Sequence, residues 1–293
     1  METPRAKPLF VIGTARSGTT WLANMLVSHP DLAGVTAAEH QGIHESHLCS
    51  HTRYVLKGRR SCREFVELYR REDYFKLLRL GPRELCEGEG RMDVYLFFRL
   101  LMEKYAASQG AKYWLEKTPK HAIYYQEILE NFPDAAFVVI ERNFEKTLLS
   151  NLNKFARPGA SRWRQVFEKV FRYVSDMRAM VRLKERAPGQ VVTVLYEDLV
   201  KNTDQEMSRI LAFLELPPMP LRSSFPADSS FRDGASNQFV FSRFGGLVIR
   251  GMKFLLSLVP WRLMYLARSQ RDQAEARIFP KFELFKDSEI SDR

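Results

Sequence analysis

The feature that most constrains the fold is an apolar run followed by a glycine-rich loop and a helix-like segment, all within the first thirty residues. Leu9–Ile12 is wholly apolar, which is typical of a strand buried on both faces of a parallel sheet. Gly13–Gly18 is rich in turn-forming residues, and apolar residues recur at helical spacing in Thr19–His29. A strand, a loop and a helix in this order predict the first unit of a parallel α/β sheet.

The middle of the chain repeats this alternation. Strands are predicted at residues 112–116, 136–140 and 190–196, and helices at 118–131, 143–155, 161–186 and 204–214. Residues 41–110 show mostly helical periodicity and no predicted strand. We therefore expect a single α/β domain over residues 1–293, with a central parallel sheet flanked by helices and a helical insertion, the cap, at residues 41–110.

Composition and cysteine usage narrow the class of protein. With 293 residues, of which 45% are hydrophobic, the chain can bury a core, which excludes disordered and disulfide-scaffold proteins. The net charge of +10 favours anionic ligands without selecting among nucleotide, nucleic acid and membrane. Cys49, Cys62 and Cys86 are odd in number and widely spaced, which makes a disulfide framework unlikely and favours a reducing compartment. The chain shows no secretory signal and no apolar run of membrane-spanning length, so we expect a cytoplasmic location.

The loop Gly13–Thr20 has the composition and context of a phosphate-binding loop. Backbone N–H groups and the helix dipole bind phosphate where such a loop joins a strand to a helix. The spacing matches G-x-x-x-x-G, but Thr19 stands where a nucleoside-triphosphate loop needs lysine, and the loop's cation is Arg16. The sequence predicts phosphate binding, with an ordinary glycine-rich turn as the alternative, and the missing lysine argues against a kinase.

The segment Val11–Leu22 closely resembles the 5′-phosphosulfate loop of sulfotransferases, which use 3′-phosphoadenosine 5′-phosphosulfate (PAPS) as sulfuryl donor. The resemblance implies a fold like that of P-loop kinases and NTPases, and PAPS as donor substrate. It places Arg16 at the family's loop cation, with a part in catalysis as well as in binding. The implied donor-binding residues of the loop are Arg16, Ser17, Gly18, Thr19, Thr20 and Trp21.

A second motif lies at the end of the strand 136–140. Arg142 ends this strand, and Ser150 follows two helical turns into the next helix, so the two side chains can converge on one phosphate. The pair resembles the 3′-phosphate motif of the sulfotransferase family. An arginine and a serine eight residues apart are common in proteins. The pair indicates a phosphate site only because it follows the phosphate-binding loop and lies on a strand end and the next helix.

Two further segments resemble the family less closely. Tyr196, in Leu195–Leu199, resembles a tyrosine near the adenine, although a core tyrosine at a strand end is an equal alternative. A late loop resembles the segment that closes on the 3′-phosphate and adenine, but its Asp233 departs from the lysine often found there. The residues implied in that loop are Ser230, Phe231, Arg232 and Gly234. The resemblance covers residues 8–40 and 110–240.

Sulfuryl transfer needs a positioned donor, neutralised charge and a base for the acceptor hydroxyl. Lys117, at a strand end facing the same sheet edge, resembles the family's lysine that polarises the leaving oxygen; a solvated lysine is the alternative.

The catalytic base is less well marked in the sequence. The position of the histidine base of cytosolic sulfotransferases is Pro119, and His121 is a poor substitute. The tyrosylprotein branch instead keeps a glutamate soon after the first helix, and Glu39 fits that pattern. His40 and Glu45 remain rival candidates, and a surface role for Glu39 stays open.

Four histidines in the cap, His40, His44, His47 and His51, would share one face of a helix. That spacing suggests zinc, but no acidic or cysteine ligand completes a known pattern. We expect no metal, and we expect these side chains to line the acceptor pocket instead.

Residues 243–285 form a basic amphipathic segment. Arg243–Arg271 contains six lysines and arginines, no aspartate or glutamate, and large apolar residues throughout. This pattern predicts peripheral contact with an anionic membrane surface, with a helix packed on the core as the alternative. No nucleic-acid motif accompanies the charge, so we expect no nucleic-acid partner.

The sequence as a whole predicts a sulfotransferase that transfers a sulfuryl group from PAPS to a hydroxyl. The acceptor, whether small molecule, lipid, glycan or peptide, is not specified. The alternatives are a P-loop kinase-like phosphotransferase and a non-catalytic nucleotide-binding membrane adaptor.

Overall fold

A five-stranded parallel sheet forms the centre of the molecule. The computed structural model describes residues 5–70, 72–81, 85–86, 90–157, 159–223 and 241–278. The sheet strands are β1 (Lys7–Gly13), β2 (Leu32–Gly34), β3 (Tyr113–Lys117), β4 (Ala136–Glu141) and β5 (Val191–Leu195). Their spatial order is β2-β3-β1-β4-β5, and every neighbouring pair is parallel. The predicted α/β architecture with a central parallel sheet is confirmed.

Helices flank this sheet throughout the described part of the chain. They are α1 (Thr19–Leu26), α2 (Cys62–Tyr69), α3 (Asp73–Leu78), α4 (Val94–Ser108), α5 (Tyr125–Asn131), α6 (Phe144–Lys154), α7 (Arg162–Arg186), α8 (Tyr196–Lys201), α9 (Thr203–Phe213), α10 (Arg243–Ser257) and α11 (Trp261–Ile278). Shorter helical turns are Ala38–His40, Leu48–Thr52, Arg53–Val55, Pro119–Tyr124 and Pro188–Gln190.

The apolar run of β1 forms a strand because both of its faces are buried. Leu9 and Val11 pack into one cluster with α1 and α9, whereas Phe10 and Ile12 pack into another with the cap. Successive side chains of a strand point to opposite faces, so an uninterrupted apolar run satisfies both layers at once.

The strand register aligns the carboxyl ends of β1, β3, β4 and β5. Val11 lies opposite Lys117, Gly13 opposite Ile140, and Glu141 opposite Leu195. The segments that follow these ends therefore meet at one edge of the sheet, where open α/β folds bind their ligands.

The cap is less purely helical than expected. Thr36–Ala37 pairs with Gly42–Ile43, and Arg60–Ser61 pairs with Arg91–Met92, both antiparallel. The expectation of no strand within residues 41–110 is therefore wrong. Ladders of two residues are too short to show an alternating pattern, so periodicity could not reveal them.

The cap contains a disulfide, although the cysteine pattern favoured a reducing compartment. Cys62 at the start of α2 and Cys86 form a disulfide, with their Cα atoms 5.3 Å apart, while Cys49 is free and buried. The two residues are 24 apart in sequence, without a motif, and the fold of the cap brings them together. The prediction of a reducing compartment rested on the number and spacing of the cysteines, and it loses that basis because two of them are paired.

Several element boundaries differ from those predicted. The three-residue β2 was not predicted, because it is too short to stand out. α1 ends at Leu26, before the predicted end at His29. Residues 119–124 form a tight 3₁₀ helix before α5, in place of one continuous helix.

The C-terminal helices α10 and α11 pack against α6 and α7 in a third apolar cluster. Among the described residues, no single helix is long and apolar enough to cross a membrane. α10 and α11 pass that test only as a pair, and a bend of 104° separates them.

Candidate active site

The loop between β1 and α1 has the backbone geometry of an anion cradle. Arg16 and Gly18 adopt positive φ values of 72° and 101°, and the Ser17 N–H donates to the Thr14 carbonyl at 3.0 Å. No side chain caps α1, so its first N–H groups are free of a capping partner. The buried hydroxyls of Thr14 and Ser17 have no hydrogen-bond partner among the described residues. Unsatisfied donors around a helix N-terminus fit a phosphate group.

Gly13 and Gly18 are required by close packing. A Cβ at Gly13 would lie 2.7 Å from the Ile140 carbonyl oxygen. A Cβ at Gly18 would lie 2.6 Å from Cδ2 of Tyr196. The loop can therefore rest on the ends of β4 and β5 only because both positions lack side chains.

The two predicted phosphate-binding arginines lie together. Arg16 Nε donates to Ser150 Oγ at 3.3 Å, and Arg142 Nη1 donates to the Arg16 carbonyl at 3.1 Å. Burial and the charge of Arg142 lower the pKa of Arg16. Nε of Arg142 is buried and has no partner among the described residues. Two close guanidinium groups and an orphaned donor fit an anionic ligand that would relieve their repulsion.

Aromatic side chains border these arginines. Arg142 lies over the Tyr196 ring, 4.2 Å from its centroid, and the rings of Trp21 and Tyr196 meet edge to face at 6.2 Å. An open cavity of about 630 Å³ lies against Trp21 and Met25 and extends to Ser223. Its size falls within the ordinary range for small-molecule sites, roughly 300–1,000 Å³.

Lys117 and Glu45 form an ion pair at the end of β3. Nζ of Lys117 donates to Oε1 of Glu45 at 2.7 Å, and the Lys117 side chain is only 3% exposed, against 30% for Glu45. His47 lies 3.5 Å from the other carboxylate oxygen. Burial alone would raise the pKa of Glu45, but Lys117 and His47 outweigh it and hold the pKa below its usual range.

A buried polar network of Glu116, Thr118 and the backbone of His47 adjoins this ion pair. Burial raises the pKa of Glu116 to about 7, against hydrogen bonds from Thr118 and Ser46. Thr118 donates to Glu116 at 2.6 Å and accepts from the His47 N–H at 3.3 Å. The network ties the strand end that carries Lys117 to the segment that carries Glu45.

The other candidate bases are placed differently. Glu39 is exposed on the 3₁₀ turn Ala38–His40, and the side chain of His40 lies outside the described part of the structure. His121 is fully buried, and its Nε2 accepts from the Cys49 N–H at 3.1 Å. Among the candidates whose side chains the structure describes, Glu45 is the one placed against Lys117.

The histidines do not share one helical face. Ala38–His40 and Leu48–Thr52 form two separate helical turns, and His44 lies between them in the chain, beside the Tyr74 ring. The rings of His47 and His51 are 4.5 Å apart, and burial lowers the pKa of His47 to about 3. Within the described residues, no group of three or more histidine, cysteine, aspartate or glutamate side chains could hold a metal ion.

The late loop residues Ser230, Phe231, Arg232 and Gly234 lie outside the described residues.

Two further cations that the sequence did not indicate lie near the loop. Lys169 and Arg172 of α7 line a small pocket together with Thr14 and Thr147. Burial lowers the pKa of Lys169 to about 8, and the charge of Arg172 helps to lower the pKa of Glu45. No sequence signal singles these two out, because α7 carries basic residues at many positions.

The fold and this edge of the sheet define an α/β protein built to bind a phosphorylated ligand beside a lysine–glutamate pair. The model of the sulfotransferase family matches residues 8–220 of the 293. The chain therefore belongs to the sulfotransferase family, whose members transfer sulfuryl groups.

Relatives and solved structures agree with this assignment. A Caenorhabditis elegans protein named putative protein-tyrosine sulfotransferase is 26% identical over 101 residues, which are 34% of this chain and 39% of that protein. The chain thus spans well under half the length of this curated relative. The sulfotransferase domain of a Synechococcus olefin synthase superposes with a TM-score of 0.54 at 15% identity, covering 89% of this chain and 98% of that one. Sulfotransferase STF1 of Mycobacterium tuberculosis superposes at 0.53 with 18% identity, covering 86% and 77%. These structures share the fold.

Proposed function

We propose that this chain transfers a sulfuryl group from PAPS to an acceptor hydroxyl, with Lys117 and Glu45 as its central catalytic pair. The observation that carries the proposal is the 2.7 Å ion pair at the sheet edge that also carries the anion cradle. A cation and a carboxylate side by side can neutralise a leaving group and accept a proton in the same site.

The donor is held by the residues singled out in the sequence. Arg16 and the loop Ser17–Thr20 bind the 5′-phosphosulfate, and Arg142 with Ser150 binds the 3′-phosphate. The orphaned donors of Ser17 and Arg142 support this arrangement, because a bound phosphate supplies the missing acceptors. The adenine lies near Tyr196 and Trp21, and the cavity beside Trp21 offers room for it. The late loop at Ser230–Gly234 completes the donor site in this proposal.

Glu45 becomes a stronger base when the donor binds. In the free protein its carboxylate is neutralised by Lys117, which lowers its pKa and makes it a weak base. The negative charge of a phosphosulfate competes for Lys117 and is itself close to Glu45. Both effects raise the pKa of Glu45, so donor binding prepares the carboxylate to accept the proton of an acceptor hydroxyl.

The transfer step needs no covalent intermediate on the protein. As the acceptor oxygen forms its bond to sulfur, Glu45 takes the hydroxyl proton. The bond between sulfur and the bridging phosphate oxygen breaks, and its electron pair leaves with 3′-phosphoadenosine 5′-phosphate (PAP). Lys117 and Arg16 neutralise the charge that develops on that oxygen.

The proposal also covers the acceptor that receives the sulfuryl group and the cellular compartment of the protein. A small molecule, lipid, glycan or peptide can each supply the hydroxyl. The tyrosine acceptor named for the C. elegans relative makes a tyrosine peptide the first acceptor to test. The Cys62–Cys86 disulfide favours an oxidising compartment over the cytoplasmic location expected from the sequence.

Two glutamine variants test the assignment of the base. Glu45→Gln keeps the shape of the side chain and removes the proton acceptor, so transfer from radiolabelled PAPS to a tyrosine peptide or a phenol should slow by about 10²–10⁴-fold. Glu39→Gln is the matched control and should leave the rate within about threefold, because Glu39 is exposed on the turn Ala38–His40. PAP affinity should stay nearly constant in both variants.

A large loss of rate in Glu39→Gln with a nearly unchanged rate in Glu45→Gln would assign the catalytic base to Glu39.

Other results would overturn the proposed function altogether. ATP hydrolysis or phosphoryl transfer without PAP binding would make the chain a kinase, and nucleotide binding without transfer to any acceptor class would make it an adaptor.

A further inference from the structure

The C-terminal helices expose a continuous row of large apolar side chains. Each residue of this row is between 51% and 74% exposed. Those in and just after α10 follow helical spacing, so they lie along one face of the helix. We call the row the outer apolar face; its members are Phe244, Leu247, Phe254, Leu255, Leu258, Leu263 and Leu266.

The opposite side of α10 is buried in the protein. Gly245, Ile249 and Leu256 are its buried residues, and Ile249 and Leu256 belong to the apolar cluster with α6 and α7. The outer apolar face therefore lies on the side of α10 that points away from the core. It is a second apolar surface on a helix that is already anchored.

The charges within this segment have one sign, although the exposed Arg250 pairs with Glu145 of α6 at 3.0 Å. Residues 243–271 contain six lysines and arginines and no acidic residue. Arg243 and Arg250 lie along one margin of the outer apolar face by helical position, and Arg262 is exposed at the start of α11. An apolar face edged by cations complements a layer of anionic headgroups over hydrocarbon.

We propose that the outer apolar face docks on an anionic phospholipid surface, with α10 lying in the plane of the interface. A second copy of the chain is a poorer occupant, because a symmetric contact would bring the same cations of both copies together. Crossing the bilayer would require α10 to leave the cluster with α6 and α7. The 15 residues of α10 span about 22 Å, short of the roughly 30 Å of hydrocarbon.

Vesicle flotation of the full chain tests this proposal. The protein should float with phosphatidylcholine vesicles containing about 30% phosphatidylserine and much less with phosphatidylcholine alone. Binding should fall when salt rises from about 0.05 M to 0.5 M, because the Debye length shortens. Leu247→Glu combined with Phe254→Glu should reduce the bound fraction at least about tenfold, since two charges then oppose insertion.

A matched double variant controls for charge and exposure. Leu96 and Val200 are 52% and 48% exposed and lie far from α10 in sequence, so Leu96→Glu combined with Val200→Glu adds the same charge elsewhere. This control should bind vesicles like the unmodified chain, and the melting temperatures of both double variants should show that they fold. Equal loss of binding in both would overturn the proposal. So would resistance to alkaline carbonate, which indicates a span, or a dimer dispersed by the α10 variant without any vesicle binding.

Discussion

Single residues decide whether the sheet edge can do chemistry, and the pair of Lys117 and Glu45 matters most. The sequence predicted Lys117 because it ends a strand beside the phosphate loop. The sequence could not rank Glu45 above Glu39, since both follow the first helix and neither has a local signal that places it beside Lys117. Only the return of the chain over the sheet edge brings Glu45 to 2.7 Å from Lys117.

Removal of Lys117 should change the titration of Glu45 in a predictable direction. Lys117→Ala leaves the burial of Glu45, which raises its pKa, and removes the largest opposing charge. The proton-accepting form is therefore lost at a higher pH. We expect the acid limb of the kcat/KM profile for PAPS to move to higher pH, together with a lower rate, and Lys117→Arg to restore its position. An acid limb unchanged in Lys117→Ala would show that the ion pair does not control the base.

At the scale of elements, the loop between β1 and α1 depends on backbone conformation as much as on side chains. Gly18 has a φ of 101° and lies under the Tyr196 ring, so it joins the loop to the end of β5. The sequence predicted this loop well, because a strand, a glycine-rich loop and a helix form a local signal. The sequence did not predict β2 or the two-residue antiparallel ladders, because strands of two or three residues are too short to show an alternating pattern.

Gly18→Ala should therefore damage the site and the fold together. A side chain at positive φ and a close approach to Tyr196 should lower the free energy of unfolding by about 1–3 kcal/mol and weaken PAP binding. Gly251→Ala in α10 is the matched control, because a Cβ there meets nothing within 4 Å. It should leave stability unchanged or raise it by about 0.5–1 kcal/mol. Urea denaturation measures both, and equal stability of the two variants would contradict the packing of Tyr196 on the loop.

At the scale of the whole molecule, the features that the sequence could not predict are those that depend on contacts between residues distant in the chain. Cys62 and Cys86 meet because the cap folds, and Lys169 and Arg172 reach the site because α7 crosses beside the loop. Neither feature has a local signature. The overall α/β class was predictable, since it follows from the order of apolar runs and helical segments.

The disulfide should contribute measurably to global stability. Closing a loop of roughly 25 residues stabilises a fold by about 3.5 kcal/mol in the chain-entropy description. Cys62→Ser combined with Cys86→Ser, or reduction of the native chain, should lower the free energy of unfolding by about that amount. Cys49→Ser should not remove the sensitivity to reductant. Thiol titration of the unfolded, non-reduced chain should find the single thiol of Cys49, whereas three thiols would contradict the disulfide.

Binding of PAP and 5′-AMP, measured by calorimetry on the native chain and on Arg142→Ala, tests the central claim most directly. The two ligands differ only in the 3′-phosphate, which the account assigns to Arg142 and Ser150. The native chain should bind PAP far more tightly than 5′-AMP. Arg142→Ala should lose about 2–4 kcal/mol for PAP, or about 30- to 1,000-fold, and should barely change for 5′-AMP. Equal losses for both ligands, or no preference for PAP in the native chain, would contradict the assignment of this site to PAPS.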